Sequence, residues 1–358
     1  MRRTMETSRR CGHSLLSTVI GCGCVAVLMA TAIPVLGNIG TMSGEAVSLS
    51  NLRVIAEAHA AYASTFNERQ VTWIPDDVGL VNGNCTTYVT EIACPPQLIL
   101  GTDPINGAIW GYYLGGGLCA QFPGTCANFA VYKPFVFSGS WSNFGSFRLQ
   151  NADAFNNFVD GRFYSDVWYS PNDESTYRSS AWVRDIAADF TAPPYEVTFS
   201  SYCLSPAAMF HPSVFGAAFG GYRNPDTFAD AYVSPSVTQC AYPDLKTRSI
   251  EHNWNRSSPG ISNPNFAGGL EPFYFNASSE ACPLSLFFDG HIARLPNSQA
   301  IADDQALFEA SGQRLWSRST PLGSNGYFGA QMLDTSPKTS HTILTIDGIL
   351  GRDILGPR

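Results

Sequence analysis

An uncharged apolar segment near the N-terminus most constrains what this chain can fold into. It runs for 22 residues from Leu15 to Leu36 without a charged side chain. As a helix, a segment of that length crosses a hydrocarbon core of about 30 Å. Four arginines precede it, and positive charge favours the cytoplasmic side. The sequence therefore predicts a single pass through the inner (cytoplasmic) membrane, with the N-terminus inside and the body in the periplasm or outside the cell.

The residues after the apolar segment show the pattern of an amphipathic helix. Apolar and aromatic side chains recur at spacings of 3, 4, 3 and 4, the period of one helix face; they are Leu52, Ile55, His59, Tyr62 and Phe66. Three glycines between residues 37 and 44 weaken the link to the first half. We therefore expect a basic leader in 1–12, a transmembrane helix in 13–40 and an amphipathic helix in 41–70 that continues the same spine.

The remaining residues, 71–358, have the composition of an exported β-rich globular domain. Charged residues make up only 14% of the chain and aromatic residues 13%, with 32 glycines and 23 prolines, which favours short strands and turns over a helical bundle. The predicted fold class is α+β, with the long N-terminal helix packed on a mainly antiparallel, disulfide-containing domain.

The charge distribution argues against nucleic acid as a partner. Four arginines and one glutamate give the first twelve residues a charge of +3. Because the whole chain has a net charge of −8, the remaining residues carry −11. An acidic body of this kind repels phosphate backbones.

Local patterns predict several elements of the body. Alternation indicates strands, and capping residues with a terminal glycine indicate helices. The predicted strands are 131–137, 196–200, the hairpin 284–295 turning at Asp289-Gly290, and 342–346 before a second Asp347-Gly348 turn. The predicted helices are 152–159, 206–210 and 298–311.

The cysteines predict small disulfide-closed loops. Cys85 and Cys94 are close in sequence, as are Cys119 and Cys126, and export makes disulfide formation favourable. Cys203 with Cys240 is a third pairing, which leaves Cys282 over. Buried free thiols are the alternative.

Three kinds of N-terminal processing are compatible with the residues. A signal peptidase would cut after Ala32, and a lipoprotein site would use Cys22. A prepilin-type peptidase would cut after Gly12, so that His13 begins the mature chain and the apolar helix is kept.

The third alternative carries a family resemblance. The leader ends in Gly12, Pro34 is the twenty-second residue counted from His13, and residues 50–62 contain Asn-Leu-Arg-Val-Ile followed by Tyr62. With a late Asp289-Gly290 motif, the chain resembles type IV pilin-like and type II secretion pseudopilin-like proteins. The resemblance implies a non-enzymatic, membrane-anchored filament subunit that contacts a prepilin peptidase and other pilin-like subunits. Ser17 stands where the family usually has glutamate, which favours a minor or tip-type subunit.

Other functions remain open on the residues alone. Glu251-His252, Asp289 and His291, with His211 or His341, are the residue types that bind a metal and activate water in an exported hydrolase. Three acidic pairs offer oxygen ligands for calcium; they are Asp76-Asp77, Asp173-Glu174 and Asp303-Asp304. A secreted surface- or glycan-binding module released after Ala32 is the third alternative.

Overall fold

The structure is a computed structural model that describes residues 44–93, 98–102, 109–112, 132–137, 145–160, 165–173, 177, 180, 200–251, 282–321 and 341–356. The chain divides into two compact units, 1–46 and 47–358. Among the helices of the described ranges, none is both long and apolar enough to cross a membrane. The predicted leader and the predicted span at 15–36 lie outside those ranges.

The amphipathic pattern forms a helix, α1, over residues 44–65. Leu52 and Ile55 are fully buried and His59 is almost so, as the helical spacing predicts. Phe66 follows the helix in a turn and is 43% exposed, so the predicted apolar face ends one turn earlier.

The body is built around a four-stranded antiparallel sheet, which confirms the mixed α+β class. Its strands are β3 (Tyr202–Leu204), β4 (Thr247–Glu251), β5 (Leu284–Phe287) and β6 (Ile292–Arg294), and they lie in that order. A separate antiparallel hairpin joins β1 (Leu98–Thr102) to β2 (Ile109–Tyr112). The register of β4 against β5 shifts between Thr247 and Ser249, which places a bulge at Arg248.

Short helices connect these strands. Within the described ranges, the α-helices after α1 are α2 (Cys85–Glu91), α3 (Asp153–Asn156), α4 (Pro206–Met209) and α5 (Asn297–Ser311). Single 3₁₀ turns cover Asp76–Val81, Ser146–Arg148, Asp166–Trp168, Pro212–Phe215, Ala217–Phe219, Pro225–Thr227, Ala229–Tyr232, Val237–Gln239 and Gly348–Leu350.

Helix α1 packs on the sheet through polar as well as apolar contacts. The Ser48 hydroxyl lies 2.9 Å from the Tyr202 hydroxyl and donates to Glu251 Oε1 at 3.0 Å, so it reaches β3 and β4 together. One turn later, Asn51 Nδ2 donates to the carbonyls of Asp166 and Tyr169. These directional contacts fix the rotation of α1 about its own axis as well as its burial.

Aromatic side chains fill much of the core. The largest fully buried side chains include Trp168, Trp316, Tyr169 and Tyr202. Phe155 links α1 to this cluster, because its ring lies 4.6 Å from the His59 ring and 5.9 Å from the Trp168 ring. Many of the aromatic side chains that the structure describes therefore pack in the core.

The hairpin at 284–295 forms as predicted, but with a different turn. Phe287 N donates to the His291 carbonyl and Gly290 N donates to the Phe287 carbonyl, which leaves a three-residue loop, 288–290. Gly290 has a φ of 90°, and a glycine in this conformation closes three-residue hairpins. The predicted two-residue turn is therefore wrong by one residue.

Two predicted helices are confirmed. Helix α5 ends at Ser311, and Gly312 adopts a φ of 73° while its N–H donates to the Phe308 carbonyl at 2.8 Å. Its N-cap is Pro296 instead of Ser298. Helix α4 begins after Ser205 with Pro206 in the first position, as predicted.

Three other local predictions are wrong. Residues 132–137 are not a strand, because the Lys133 and Pro134 carbonyls accept from Ser146 and Phe147 instead of from a neighbouring strand. Residues 342–346 contribute only an isolated bridge from Thr345 to Trp316, since Thr342 has a φ of 71°. The helix predicted at 152–159 is limited to α3. The strand predicted at 196–200 lies outside the described residues except for Ser200.

The cysteine predictions have mixed outcomes. Cys203 and Cys240 are both thiols, so the pairing of these two is wrong. Cys203 is enclosed in β3, where burial raises its pKa to about 12. No disulfide joins two cysteines within the described part of the chain. Cys94, Cys119 and Cys126 lie outside it, so both short-loop pairings remain predictions.

The burial of α1 generates a stability prediction. Ile55→Ala should lower the free energy of unfolding by about 2–5 kcal/mol, because a fully buried side chain leaves a cavity. Glu57 lies two residues after Ile55, on the exposed face of α1, so Glu57→Ala should change the free energy of unfolding by less than about 0.5 kcal/mol. Chemical denaturation of both variants measures the difference, and equal values would contradict the packing of α1.

The hairpin loop at 288–290 generates a second stability prediction. Gly290→Ala should lower the free energy of unfolding by about 1–2 kcal/mol, since a side chain at positive φ is strained. Gly356→Ala is the matched control, because an added Cβ meets no atom within 4 Å at either site and only Gly290 has a positive φ. Equal melting temperatures for the two variants would show that the loop does not need glycine.

Candidate functional site

Two of the residues predicted as metal ligands lie together in the β5–β6 loop. Asp289 Oδ1 is 2.6 Å from His291 Nδ1 and also accepts from the His291 backbone N–H at 3.0 Å. The His291 ring stacks on Phe287 with centroids 4.2 Å apart. The two side chains therefore close the loop locally. His252 lies outside the described residues, and within them no cluster of three metal-ligating side chains occurs, so the metal set remains a prediction.

The other histidines considered for that set lie elsewhere. His211 Nδ1 accepts from the Ser213 N–H at 3.2 Å and caps a 3₁₀ turn. His341 is fully buried, and in the described structure neither of its ring nitrogens has a hydrogen-bond partner. Burial lowers the pKa of His341 to about 4, so its imidazole is neutral at pH 7.

Glu251 serves the contact between α1 and the sheet. Its side chain is 2% exposed, and Oε1 accepts from the hydroxyls of Ser48 and Ser170. Burial, and next the Glu251 charge, raise the pKa of Tyr202 above its ordinary value. The carboxylate thus holds two segments against β4, which is a structural use of a residue that the sequence nominates for acid–base chemistry.

The acidic pairs nominated for calcium also have protein partners. Asp76 pairs with Arg69, and Asp77 accepts from the Tyr88 hydroxyl at 2.9 Å. Asp303 accepts from the Leu355 N–H at 3.0 Å. Asp173 is fully buried, and its neighbour Glu174 lies outside the described residues.

Among the described core residues, Lys246 has a fully satisfied side-chain nitrogen. It donates at 2.9 Å to three acceptors, Asp353 Oδ2, Ser205 Oγ and Thr345 Oγ1. Both members of the Lys246–Asp353 ion pair are fully buried. Because an ammonium has three N–H donors, this geometry uses all of them.

The Asp353 carboxylate is equally well surrounded. Beyond Lys246, Oδ2 accepts from the backbone N–H and hydroxyl of Thr247 at 2.9 and 2.6 Å. Oδ1 accepts from the Thr342 N–H at 2.9 Å and from the Thr345 hydroxyl at 2.6 Å. The pair therefore joins the N-terminal end of β4 to residues 342–345 and to Asp353, which are not part of the sheet.

Electrostatics keeps this pair charged. Burial alone would raise the pKa of Asp353, but the Lys246 ammonium and the hydroxyls of Thr247 and Thr345 lower it to about 2. Burial lowers the pKa of Lys246, and the Asp353 charge partly offsets that effect. The Asp353 carboxyl group is therefore ionised at neutral pH, and the three acceptors around Lys246 Nζ match the donors of an ammonium.

A cleft of about 510 Å³ lies between the C-terminal end of α5 and the loop at 346–352. Its lining carries three guanidinium groups, Arg314, Arg318 and Arg352, and one carboxylate, Asp347. We call it the arginine cleft. Asp347 Oδ1 accepts from the Ala217 N–H at 2.8 Å, so this carboxylate is hydrogen-bonded to another residue of the cleft lining.

The guanidinium groups of the arginine cleft lie over aromatic rings. Arg314 is 3.9 Å from the Phe308 centroid, Arg318 is 4.6 Å from that of Trp316, and Arg352 is 5.0 Å from that of Tyr242. Arg314 and Arg318 also both donate to Asp304, at 2.7 and 3.0 Å, and Asp304 is almost fully buried. These contacts with aromatic rings and with Asp304 restrict the positions of the guanidinium groups.

Comparisons of this chain with protein-family models, with curated proteins and with solved structures found no match.

Sequence reasoning missed both the Lys246–Asp353 pair and the arginine cleft. One signal for the pair was present: the chain has only three lysines, and Lys246 directly precedes strand β4. Its partner lies 107 positions later, and no pattern in the sequence connects the two. The arginines of the cleft carry no motif at all.

The buried pair generates a pH prediction. The pKa of Asp353 falls from 3.8 to about 2 on folding, so its contribution is present above pH 4 and is lost as the pH falls towards 2. Asp353→Asn should lower the free energy of unfolding at pH 7 by about 3–5 kcal/mol, because Lys246 is left buried and uncompensated. Unfolding titrations between pH 7 and pH 2 should show a flatter acid limb in the variant.

Two further variants make that test specific. Asp244→Asn, at an exposed position, should change stability by less than about 0.5 kcal/mol. Lys246→Met/Asp353→Leu should recover part of the loss, because it leaves no buried charge. An unchanged acid limb in Asp353→Asn would show that the pair does not control acid stability.

Proposed function

We propose that this chain is a pilin-like structural subunit of a type II secretion or type IV pilus-like system. In this proposal, residues 15–36 anchor it in the cytoplasmic membrane and the β-rich body lies outside. Its partners are the membrane, a prepilin peptidase acting between Gly12 and His13, and other pilin-like subunits. It performs no chemical turnover.

The observation that supports this proposal best is the packing of α1 on the antiparallel sheet. A helix that emerges from a membrane segment can position an exported domain only if the two are rigidly joined. Ser48 and Asn51 supply directional contacts beside the buried Leu52 and Ile55. A helix fastened in this way holds the body in a fixed orientation on α1, which is what a filament subunit requires.

Ser17 supports a position outside the bulk of a filament. In the resembling family a glutamate at this position is expected to pair with the amino group of a neighbouring subunit inside lipid, where an unpaired charge is expensive. A serine makes no such ion pair. We therefore propose a minor or tip-type role.

The alternative of an exported metal-dependent hydrolase has weaker support. Of the ligand set predicted for that hydrolase, the structure describes Asp289 and His291, which come from one loop and contact each other. Catalytic zinc sites use three protein ligands with one open position. The structural role is therefore the better proposal.

Processing of the leader tests the proposal directly. In cells that contain a prepilin peptidase, Gly12→Ala should leave the protein in the membrane with residues 1–12 still attached, because the peptidase requires the glycine. Mass spectrometry of the N-terminus compares it with the wild-type chain, which should begin at His13. Gly37→Ala, beyond the apolar segment, is the matched control and should be processed normally. A soluble wild-type product that begins at Ile33 would overturn the proposal.

A further inference from the structure

We propose that the arginine cleft binds an acidic peptide segment of a partner protein, with Arg352 as its main carboxylate contact. The inference concerns the body alone and stands whether or not the chain is membrane-anchored. It follows from the charge, the stacking and the apolar rim of the cleft.

The charge of the cleft is opposite to that of the protein as a whole. The chain carries a net charge of −8, yet the lining contains three guanidinium groups and one carboxylate. Arg314 and Arg318 share the buried Asp304, whereas Arg352 has no ion pair with any acidic residue that the structure describes. An anionic ligand would therefore meet an unpaired guanidinium beside two that are partly neutralised.

Stacking prepares Arg352 for a carboxylate. Its guanidinium carbon lies 5.0 Å from the Tyr242 ring centroid, and an arginine placed over a ring can still offer its N–H groups to a carboxylate. These N–H groups match a carboxylate in a bidentate geometry. Because the ring holds the side chain in place, less conformational entropy is lost on binding.

Exposed apolar side chains surround the charged groups. Tyr242 is 41% exposed and Leu350 is 43% exposed, and both line the cleft. Phe308 and Phe219, each adjacent in sequence to a lining residue, are 41% and 50% exposed. Aromatic residues and arginine side by side are characteristic of protein–protein contact sites.

The arrangement favours a peptide over a sugar. Sugars pack against bare aromatic faces, but in this cleft guanidinium groups lie over Phe308, Trp316 and Tyr242, and Trp316 is fully buried. A segment with carboxylates beside apolar side chains would satisfy the guanidinium edges and cover Leu350. The ligand class is therefore an acidic peptide with interspersed apolar residues.

Binding of synthetic ligands to the full chain in detergent tests this proposal. The probe is a fluorescein-labelled octapeptide of alternating Glu and Phe, and its Gln/Phe counterpart is the uncharged control. Fluorescence anisotropy should show saturable binding of the first peptide only. Arg352→Ala should weaken that binding by about tenfold, the loss expected for one charge-assisted hydrogen-bonding group. Arg352→Lys should give an intermediate loss, because lysine keeps the charge without the planar fork.

The controls separate this site from general charge attraction. Arg53→Ala removes an exposed arginine of α1 and should leave the affinity unchanged, while melting curves confirm that each variant is folded. Equal weakening by Arg53→Ala and Arg352→Ala would overturn the proposal, as would no saturable binding of the Glu/Phe peptide. Tighter binding of hexagalacturonate than of the peptide would overturn the peptide assignment and indicate an acidic glycan instead.

Discussion

The Lys246–Asp353 pair is the interaction on which the described body most depends. A buried charge is tolerated only when a partner and hydrogen bonds replace the water it has lost. Here the replacement comes from Ser205, Thr247, Thr342 and Thr345, which belong to three separate regions of the sequence. The chain between 341 and 356 has little regular structure, and the pair holds it against β4 together with a backbone hydrogen bond from Asp353 to the Leu245 carbonyl.

The last residue of strand β4, Glu251, is a buried carboxyl side chain. Glu251 accepts from the hydroxyls of Ser48 and Ser170, so the C-terminal end of β4 binds α1 while its N-terminal flank binds the last segment of the chain. Both attachments are polar and directional, and they are made by an interior strand of the sheet. This arrangement specifies which surfaces meet, a property that apolar packing alone provides less well.

The arginine cleft repeats the same physical device nearer the surface. Asp304 is buried beneath Arg314 and Arg318 and orients both, and aromatic rings hold the guanidinium planes. The chain is poor in lysine and rich in aromatic residues, so arginine stacking is the means by which it presents positive charge in a fixed position. A rigid cationic surface on an acidic protein is suited to selective contact with carboxylates.

The sequence by itself determined the elements whose signals are local. The 3.6-residue period of Leu52, Ile55 and His59 predicts α1, the Asp289-Gly290 turn predicts the hairpin, and Gly312 predicts the end of α5, because each depends on residues within one or two turns of chain. The strand expected at 131–137 failed because two of its carbonyls, those of Lys133 and Pro134, bond to the 3₁₀ turn at 146–148. The strand expected at 342–346 failed because Thr342 turns the chain towards Asp353. Only the tertiary structure decided that Lys246 pairs with Asp353 and that three arginines share one cleft. Such contacts join residues that are distant in the chain, and their energy comes from a dry, enclosed environment that exists only after folding.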